Sequence, residues 1–437
     1  LPDALKKSNE CRASSGTRRI RGPMTQPDSL ECIRCQQVYP LDAYDRLCAA
    51  CSADGVSSNL TVAYPDAAVP DREMLTHSPH SLWRYDQFLP LAAADAVTLG
   101  EGMTPMISVD GFGHGPLRVK DESRNPTWSF KDRLATVAVS WAKSIGAPAI
   151  ATSSTGNAGA AAAAYAARAG LPCVVLTYKG AAGAIVSQMR SYGAMVLTVP
   201  AMDDRWRVLS AAVAQFGWFP TSPFFGPAIG SNPIGIEGYK TLAYEIAEQS
   251  GWNPPDWCIL PVCYGDALYG MWKGFDEMVR WGWIGKMPRL VAAEISGSLS
   301  AAMAGKADMP PVVSRNSKSI AGSIDVTQGT FQAHAALRQS DGIAITLADE
   351  DLVRARNKLA TGSGLSVETS SAAAFAAVDT LSAHDVIRPG DDVVAILTAS
   401  GLKDFGVAGI EPQGAPDVTP DLESVLRALG EHYDYNV

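Results

Sequence analysis

Short apolar runs alternate with alanine-rich stretches along most of the chain, from residue 98 onward. The runs that predict buried strands are 117–120, 149–152, 173–176, 195–199, 258–262, 289–294 and 393–398. Apolar strands that alternate with helices are typical of a parallel sheet covered by helices on both faces. A chain of 437 residues is long enough for two such units. The pattern therefore predicts an α/β body of two lobes over residues 98–410, with mostly parallel sheets flanked by helices.

Two predicted helices begin beside polar segments. One starts near Phe130, and the other covers 157–169 and ends at Gly170, a residue type that favours the left-handed conformation after a helix.

The glycine-rich stretch at 111–115 has no helix after it and predicts a hairpin turn. It is not the G-x-G-x-x-G pattern of a dinucleotide site, so nicotinamide binding is not expected.

Smaller units are predicted outside the body. Residues 61–97 carry four prolines, which break any long element, and predict a linking arm. Residues 411–437 predict a tail whose short amphipathic helix, 421–429, we expect to dock on a neighbouring surface. Residues 1–23 carry six basic side chains and no apolar segment. We therefore expect a leader or tag there and not a secretory signal, with Met24 as a candidate start.

The composition is that of an ordinary soluble enzyme, which excludes several other classes of protein. The chain is 47% hydrophobic with a formal net charge of −9, so it offers no basic field to the backbone of a nucleic acid. No apolar stretch reaches the roughly 18 residues that a membrane span needs. We expect a cytoplasmic enzyme that binds a small molecule, with neither nucleic acid nor membrane as a partner.

Four of the eight cysteines fall in two closely spaced pairs, Cys32 with Cys35 and Cys48 with Cys51. Each pair can hold one edge of a tetrahedral metal ion, and four thiolates complete a structural zinc site. The spacing predicts a small N-terminal zinc-ribbon-like knuckle over residues 24–60. A ribbon that no longer holds metal, or a pair of disulfides, is the alternative.

Lys131 lies in the segment N-P-T-W-S-F-K-D-R (125–133), and a polar glycine-rich loop, T-S-S-T-G-N-A-G (152–159), follows later in the chain. An amine forms a Schiff base with an aldehyde only when it is held beside it, and backbone N–H groups at a helix start bind anions. Together the two segments predict a site for pyridoxal phosphate, with Lys131 as the catalytic lysine.

These segments resemble the threonine synthase branch of the fold-type-II pyridoxal phosphate enzymes, which carry N-P-T-G-S-F-K-D-R before S-T-G-N. The resemblance includes further motifs in the same order, namely G-M-T-P (102–105), I-E-G-Y-K-T (236–241), V-E-T-S-S-A-A-A (367–374) and L-T-A-S-G-L-K-D (397–404). It implies a two-lobed fold-type-II body, and commonly a homodimer. Proteins of this branch often begin with a C-x-x-C segment.

The resemblance also implies roles for single residues. Phe130 would pack under the cofactor beside Lys131, Asn157 would bond its phenolic oxygen, and Thr398, or else Ser400, would contact its ring nitrogen. The cofactor phosphate is expected at Val262, Cys263, Tyr264, Gly265, Asp266 and Ala267. The amino-acid substrate is expected against Trp128, Ser154, Thr155, Gly156 and Asn157.

Several positions depart from the family pattern. Trp128 replaces a glycine, Ala158 replaces a threonine, and Ile234 and Gly235 stand where an arginine is expected after Asn232 and Pro233. Asp266 brings a carboxylate into the phosphate loop, and we expect it to turn outward. Because an arginine is the natural partner of a substrate phosphate, the identity of the substrate stays open.

Four other cations could take that role. They are Lys120, Arg133, Arg190 and Lys240, each expected either to bind an anion or to be a salt-bridged surface residue.

The resemblance implies a lyase that converts O-phospho-L-homoserine and water to L-threonine and phosphate. An alternative keeps the cofactor and Lys131 but runs a β- or γ-replacement or an elimination on another activated amino acid, as a cysteate synthase or a diamino acid ammonia-lyase does. A catalytically idle binding protein of the same fold is the hypothesis from a different class, and the presence of Lys131 argues against it.

Overall fold

The computed structural model describes residues 27–65, 69–178, 183–201, 203–224, 229–305, 308–314, 317–404 and 415–435. Its strands are β1 (Ser29–Cys32), β2 (Val38–Tyr39), β3 (Leu60–Ala63), β4 (Met106–Val109), β5 (Leu117–Asp121), β6 (Ile150–Ser153), β7 (Cys173–Tyr178), β8 (Met195–Val199), β9 (Phe219–Pro220), β10 (Trp257–Pro261), β11 (Arg289–Glu294), β12 (Ile343–Thr346) and β13 (Val393–Leu397). Its α-helices are α1 (Ala49–Ala53), α2 (Lys131–Ser144), α3 (Asn157–Ala169), α4 (Gly183–Ser191), α5 (Asp204–Phe216), α6 (Pro233–Ile236), α7 (Lys240–Gln249), α8 (Asp266–Arg280), α9 (Ser298–Ala304), α10 (Phe331–Gln339), α11 (Asp349–Ser363), α12 (Ala372–Ala383) and α13 (Leu422–Tyr433).

The larger lobe contains a six-stranded sheet in the order β12-β11-β10-β13-β5-β4. Neighbouring strands are parallel except β4 and β5, which form an antiparallel hairpin. Side chains of β10 alternate between two apolar clusters, with Cys258 and Leu260 in one and Trp257 and Ile259 in the other. A strand buried on both faces requires a continuous apolar run. This explains why the strand was visible in the sequence.

The smaller lobe contains a four-stranded parallel sheet in the order β8-β7-β6-β9. Helix α3 packs against α2 and buries the alanines from Ala160 to Ala164. Small side chains allow this close approach, and a Cβ at Gly159 would lie 2.6 Å from Met189 Cε. The polar loop before α3 is therefore held tightly at the junction of the two lobes.

The N-terminal module is a three-stranded antiparallel sheet in the order β2-β1-β3. Leu30 and Val62 of this sheet share an apolar cluster with Val137 and Ile234 of the body. Strand β3 continues to Ala63, past the residue at which the predicted module ends. The module thus packs on the body through its apolar face.

The predicted fold class is confirmed. Each predicted strand of the body is present, with ends that differ by two residues or fewer, and α3 has the predicted bounds with Gly170 at φ 73°. The turn at 111–115 lies in the β4–β5 hairpin. Strands β4 and β12 were missed because their residues are mostly half-buried or exposed at the two edges of the sheet, so neither forms a continuous apolar run.

The tail helix α13 is present, its apolar side chains are exposed in this chain, and its docking on a neighbouring surface stays a prediction. Leu422 is 71% exposed, and Val425 and Leu426 are exposed as well. The predicted leader at 1–23 lies outside the described residues. Within the part of the chain that is described, no helix is long and apolar enough to cross a membrane.

Candidate active site

Lys131 is the first residue of α2 and is held by the end of β13. Phe130 N donates to Thr398 O at 2.9 Å, and Ser400 N donates to Trp128 O at 3.1 Å. On the other side of this strand end, Glu368 N donates to Ala399 O at 3.1 Å. The structure therefore brings Thr398 and Ser400 beside the segment that carries the lysine.

Trp128 adopts a left-handed backbone conformation, with φ 65°. Glycine reaches this region without strain, whereas a side chain with a Cβ does not. The backbone thus explains why the family motif has glycine at this position. The tryptophan side chain is 45% exposed, and Lys403 Nζ lies 5.7 Å from the centroid of its ring.

Lys131 Nζ lies 4.4 Å from the centroid of the Phe130 ring and 5.7 Å from that of Tyr239. A cavity beside it, which we call the Lys131 cavity, is lined by Lys131, Leu134, Ala135, Ala158, Ala162, Thr221, Ser231 and Tyr239. Burial alone would lower the pKa of Lys131, but the surrounding Tyr239, Asp266 and Cys263 raise it above its ordinary value. When it is not bonded to a cofactor, the Lys131 side chain is therefore a protonated ammonium group among polar neighbours.

The loop before α3 carries Ser154 to Asn157. Ser154 Oγ accepts hydrogen bonds from Gly156 N at 3.2 Å and from Gly159 N at 2.9 Å, which fixes the turn. Asn157 Nδ2 donates to Glu368 Oε2 at 2.6 Å, whereas Asn157 Oδ1 is buried and has no partner among the described residues. The first turn of α3 presents backbone N–H groups of the kind that bind carboxylates.

Glu368 is a residue of this site to which the sequence assigned no role. It is buried, and besides Asn157 it accepts a hydrogen bond from Ser323 Oγ at 2.5 Å. Burial raises the pKa of its carboxyl, and Asp404 adds to that effect. The V-E-T-S-S-A-A-A motif was the available signal, because it places this glutamate in a segment shared with the family.

The expected phosphate loop follows β10 and leads into α8. Gly265 precedes the helix at φ 84°, and a Cβ there would lie 2.3 Å from Ala333 Cβ. Tyr264 O accepts a hydrogen bond from Thr330 Oγ1 at 2.5 Å. The backbone is thereby fixed with the first N–H groups of α8 at one end of the loop, an arrangement that suits a phosphate.

Asp266 does not turn outward, contrary to expectation. Its carboxylate is buried and accepts hydrogen bonds from Ser231 Oγ at 2.6 Å and from Gln332 Nε2 at 2.7 Å. A Cβ at Gly230 would come within 2.5 Å of Asp266 Oδ1, so that glycine makes room for the carboxylate. With Ser231 N, which donates to Asp266 Oδ1 at 3.2 Å, three donors hold the carboxylate at the side of the loop.

Three of the four candidate anion ligands are buried ion-pair partners and not surface residues, so that part of the expectation is wrong. Arg133 lies 2.6 Å from both Glu122 and Glu245, and Lys120 lies 2.7 Å from Glu245. Together these four form the ion-pair cluster behind α2. The pKa of the Glu245 carboxyl is lowered to about 2: burial alone would raise it, but Arg133 and Lys120 outweigh that effect.

Lys240 pairs with Glu237 at 2.8 Å and with Glu277 at 3.0 Å. Arg190 is exposed in the last turn of α4. A different cation, Lys403, donates to Gln188 Oε1 at 2.7 Å across the two lobes. Burial lowers the pKa of Lys403 to about 8, although Glu368 and Asp132 act against it.

The four predicted metal ligands come together in the N-terminal module. The sulfur atoms of Cys32, Cys35, Cys48 and Cys51 lie within 4.8 Å of one another. The Cys32–Cys51 and Cys35–Cys48 sulfur pairs are 3.6 and 3.5 Å apart. Tetrahedral zinc with Zn–S bonds of about 2.3 Å requires sulfur atoms about 3.8 Å apart, so the set fits a single ion.

A hydrogen-bond path connects this module with the Lys131 cavity. Asn59 Nδ2 donates to Ser231 O at 3.0 Å, and the Ser231 side chain donates to Asp266. Ser231 itself lines the Lys131 cavity. The module therefore supports one wall of the site.

The chain is similar to pyridoxal phosphate enzymes in sequence. Residues 97–399 match the family model described as pyridoxal-phosphate dependent enzyme. The chain is 34% identical over 385 residues to the threonine synthase of Methanosarcina acetivorans, covering 86% of this chain and 92% of that protein. It is 31% identical over 413 residues to the threonine synthase of Methanocaldococcus jannaschii, covering 92% and 99%.

The fold is also similar to those of solved structures. O-ureido-L-serine synthase matches with a TM-score of 0.57 and 21% identity, covering 72% of this chain and 95% of that one. Maize serine racemase matches with a TM-score of 0.57 and 21% identity, covering 76% and 92%. At such identity the likeness shows the fold alone. Since the family model and the threonine synthases match most of the chain, this protein belongs to the fold-type-II pyridoxal phosphate-dependent enzymes, as a lyase of the threonine synthase-like branch.

Proposed function

We propose that this chain converts O-phospho-L-homoserine and water to L-threonine and phosphate. The observation that carries the proposal is the similarity to threonine synthases, which extends over 86% and 92% of the chain in the two relatives described. The position of Lys131 supports the same chemistry, because it stands at a helix start between two lobes with a cavity beside it.

The residues around Lys131 fit pyridoxal phosphate. Gly265, at φ 84°, lets the loop turn and pack against Ala333, and the loop then leads into the first N–H groups of α8, which suit a phosphate. Asn157 Oδ1 is a buried polar atom without a partner among the described residues, as is expected where a ligand completes the site. In this proposal the loop 262–267 holds the cofactor phosphate, and Asn157 Oδ1, which can only accept, takes a hydrogen bond from the phenolic hydroxyl.

Thr398 suits the ring nitrogen better than Ser400 does. Thr398 Oγ1 is buried, 2.7 Å from Ser371 Oγ, and Ser371 Oγ also accepts a hydrogen bond from Ala399 N at 2.9 Å. When Ser371 donates to Thr398 at 2.7 Å and not to Ala399 O at 3.3 Å, the Thr398 proton remains available for the nitrogen. A hydroxyl contact leaves the ring less electron-withdrawing than a carboxylate contact would, which suits elimination and replacement.

When bound, the cofactor supplies an electron sink for negative charge at Cα of the amino acid. The protein holds the substrate and moves its protons. Lys131 Nζ takes the Cα proton and returns protons later in the reaction. Ser154, Thr155 and Gly156 hold the carboxylate at the start of α3, with Trp128 at the mouth of the site. The Phe130 ring lies against the Lys131 side chain, with Nζ 4.4 Å from its centroid.

The visible absorption spectrum of the holoenzyme, recorded before and after addition of O-phospho-L-homoserine, tests the proposal. Phosphate and threonine are assayed in the same cuvette. We expect the cofactor band to shift while both products appear, and Lys131→Ala to abolish product formation. A cofactor band that does not respond would refute the proposed substrate and leave the cofactor assignment intact.

A replacement or elimination on another activated amino acid is the second candidate, and Gly235 favours it. A Cβ at Gly235 would lie 3.0 Å from Leu134 Cγ and 3.1 Å from Ala138 Cβ, so an arginine there would displace α2. Lys120, Arg133 and Lys240 are committed to ion pairs. Release of ammonia or uptake of sulfite, without threonine formation, would establish this candidate.

We also propose that Cys32, Cys35, Cys48 and Cys51 bind one structural zinc ion. Metal analysis should find one zinc per chain, which Cys48→Ser would remove and Cys173→Ser, a buried cysteine outside the cluster, would not. Two disulfides would instead lower the mass of the intact chain by four hydrogens, because each disulfide replaces two thiols. A homodimer and a cytoplasmic location are proposed on the family resemblance alone.

A further inference from the structure

Tyr239 carries a hydroxyl group whose proton is donated to no described residue, and the nearby Lys131 ammonium, itself a donor, cannot accept it. The residue is 0% exposed, and its Oη makes no hydrogen bond within ordinary limits of length and angle. Buried hydroxyl groups are nearly always bonded, because leaving one unsatisfied costs free energy. An unsatisfied hydroxyl that belongs to the lining of a cavity indicates a ligand atom that completes it.

The Tyr239 ring is fixed in place by its neighbours. It lies against Phe130, with ring centroids 5.5 Å apart and an interplanar angle of 32°. A Cβ at Gly270 would come within 2.5 Å of Tyr239 Cβ, and a Cβ at Gly238 within 1.9 Å of Arg133 O. The glycine contacts fix the backbone and the Cβ of this segment, the Phe130 ring lies beside the Tyr239 ring, and Tyr239 lines the Lys131 cavity.

The Lys131 cavity has an apolar part and a polar part. Leu134, Ala135, Ala158 and Ala162 form the apolar part, which suits the methylene groups of a short side chain. Lys131, Thr221, Ser231 and Tyr239 form the polar part. Because Ser231 Oγ already donates to Asp266 at 2.6 Å, the Tyr239 hydroxyl is a donor still available to a ligand.

The Tyr239 hydroxyl is a neutral donor at ordinary pH. Burial raises the pKa of Tyr239 to about 12, and the nearby Lys131 reduces this effect without reversing it. A neutral donor suits a hydroxyl or ester oxygen, and it also bonds to a phosphate. It replaces none of the charge that an arginine would supply.

We infer that Tyr239 is a specificity-determining residue whose Oη donates a hydrogen bond to the side-chain oxygen of the bound amino acid. The inference rests on the proposed function and adds the group that recognises the reacting side chain. A substrate with an oxygen on its side chain satisfies the hydroxyl, and one without that oxygen leaves it unpaired. Tyr239 thereby selects oxygen-bearing amino acids over their hydrocarbon counterparts.

The test compares two amino acids that differ in this one oxygen. The wild-type holoenzyme and Tyr239→Phe are titrated with L-homoserine and with L-2-aminobutyrate, and dissociation constants are read from the cofactor absorption band. We expect Tyr239→Phe to raise the dissociation constant of L-homoserine by about threefold to tenfold, as for loss of one neutral hydrogen bond. The dissociation constant of L-2-aminobutyrate should not rise, because its side chain has no oxygen to accept the hydrogen bond.

Tyr165→Phe is the matched control. Tyr165 is also 0% exposed, but its Oη donates to Glu101 at 2.7 Å. Removing that hydroxyl should lower the melting temperature and leave the ratio of the two amino-acid constants unchanged. The control separates loss of a buried hydroxyl from loss of a ligand contact.

Four results would overturn the inference. An equal rise in the dissociation constants of both amino acids would mean that Tyr239 acts through packing or through the orientation of Lys131. A rise of the same size in the dissociation constant of the cofactor would mean that Tyr239 acts in cofactor binding. No change in either constant would leave it without a role in recognition. If neither amino acid perturbs the wild-type spectrum while O-phospho-L-homoserine does, the inference falls and the proposed function stands; if O-phospho-L-homoserine has no effect either, the proposed function falls as well.

Discussion

Lys131 and Arg133, two residues apart at the start of α2, show two different ways of burying a cation. Arg133 is 0% exposed and donates to Glu122 and Glu245 at 2.6 Å each, and to Thr241 Oγ1 at 2.8 Å. Lys131 Nζ instead faces two aromatic rings and a cavity that also holds the unsatisfied Tyr239 hydroxyl.

Buried polar groups that have partners within the protein, such as Arg133, stabilise the fold. Those without a partner, such as the Tyr239 hydroxyl, indicate where a ligand binds. In the ion-pair cluster each charge has an opposite charge within 3 Å. Removing one member would leave a buried charge uncompensated. In the Lys131 cavity the polar atoms without partners cost stability in the free protein, and that cost is recovered when a ligand binds.

Lys131→Ala should produce the largest effect on activity. We expect kcat to fall by about 10⁴-fold, because a positioned proton carrier is lost, and the visible band of the bound cofactor to disappear. Unfolding by urea should show little change in the free energy of unfolding. A variant that retains the band and a tenth of the activity would mean that another group carries the reaction.

Arg133→Met should produce the largest effect on stability. Its removal leaves Glu122 and Glu245 facing each other's charge in a buried site, with Lys120 as the cation that remains in the cluster. We expect a loss of about 3–5 kcal/mol in the free energy of unfolding, as for a broken buried ion pair. Lys131→Met, two residues away, is the matched control and should change it by less than about 1 kcal/mol. Equal losses in both variants would contradict the comparison.

Much of the architecture was predictable from sequence because its causes are local. Strands such as β10 are continuous apolar runs, and the helix bounds of α3 follow from Asn157 and Gly170. The paired cysteines were recognisable from their spacing, and the Lys131 segment from its resemblance to a family motif. In these cases short stretches of neighbouring residues carry the signal.

The partners of the buried polar groups were not predictable. Arg133 meets Glu245 across 112 positions of sequence, and Asp266 meets Gln332 across 66. Such pairings depend on how the elements pack in three dimensions. For this reason the sequence placed Lys120, Arg133 and Lys240 on the surface, turned Asp266 outward and gave Tyr239 no role.

Lys403 should make the stability of the protein depend on pH. The pKa of Lys403 is lowered to about 8 by burial, although Glu368 and Asp132 act against this effect, whereas an unfolded lysine titrates near about 10.4. Between these values the unfolded chain binds more protons than the folded one, so this group makes stability rise with pH.

Lys403→Met removes that dependence. We expect the variant to be more stable than the wild type by about 2 kcal/mol below pH 8, and the difference to shrink toward zero by about pH 10.4. Urea unfolding at a series of pH values measures it. A difference that stays constant across this range would show that Lys403 keeps an ordinary pKa in the folded protein.

Trp128→Gly should produce the smallest effect, and its sign is informative. At φ 65° the tryptophan carries a strain of about 1–2 kcal/mol, and glycine offsets part of that relief through its greater freedom in the unfolded chain. We expect a net gain of about 0.5–1 kcal/mol in the free energy of unfolding.

Trp252, at φ 64°, is the matched control, because its ring packs against Trp283 with centroids 5.3 Å apart. Trp252→Gly should therefore destabilise the protein. If both variants destabilise it equally, the Trp128 ring contributes packing that its 45% exposure conceals, and the left-handed backbone is no longer the reason why the family motif has glycine there.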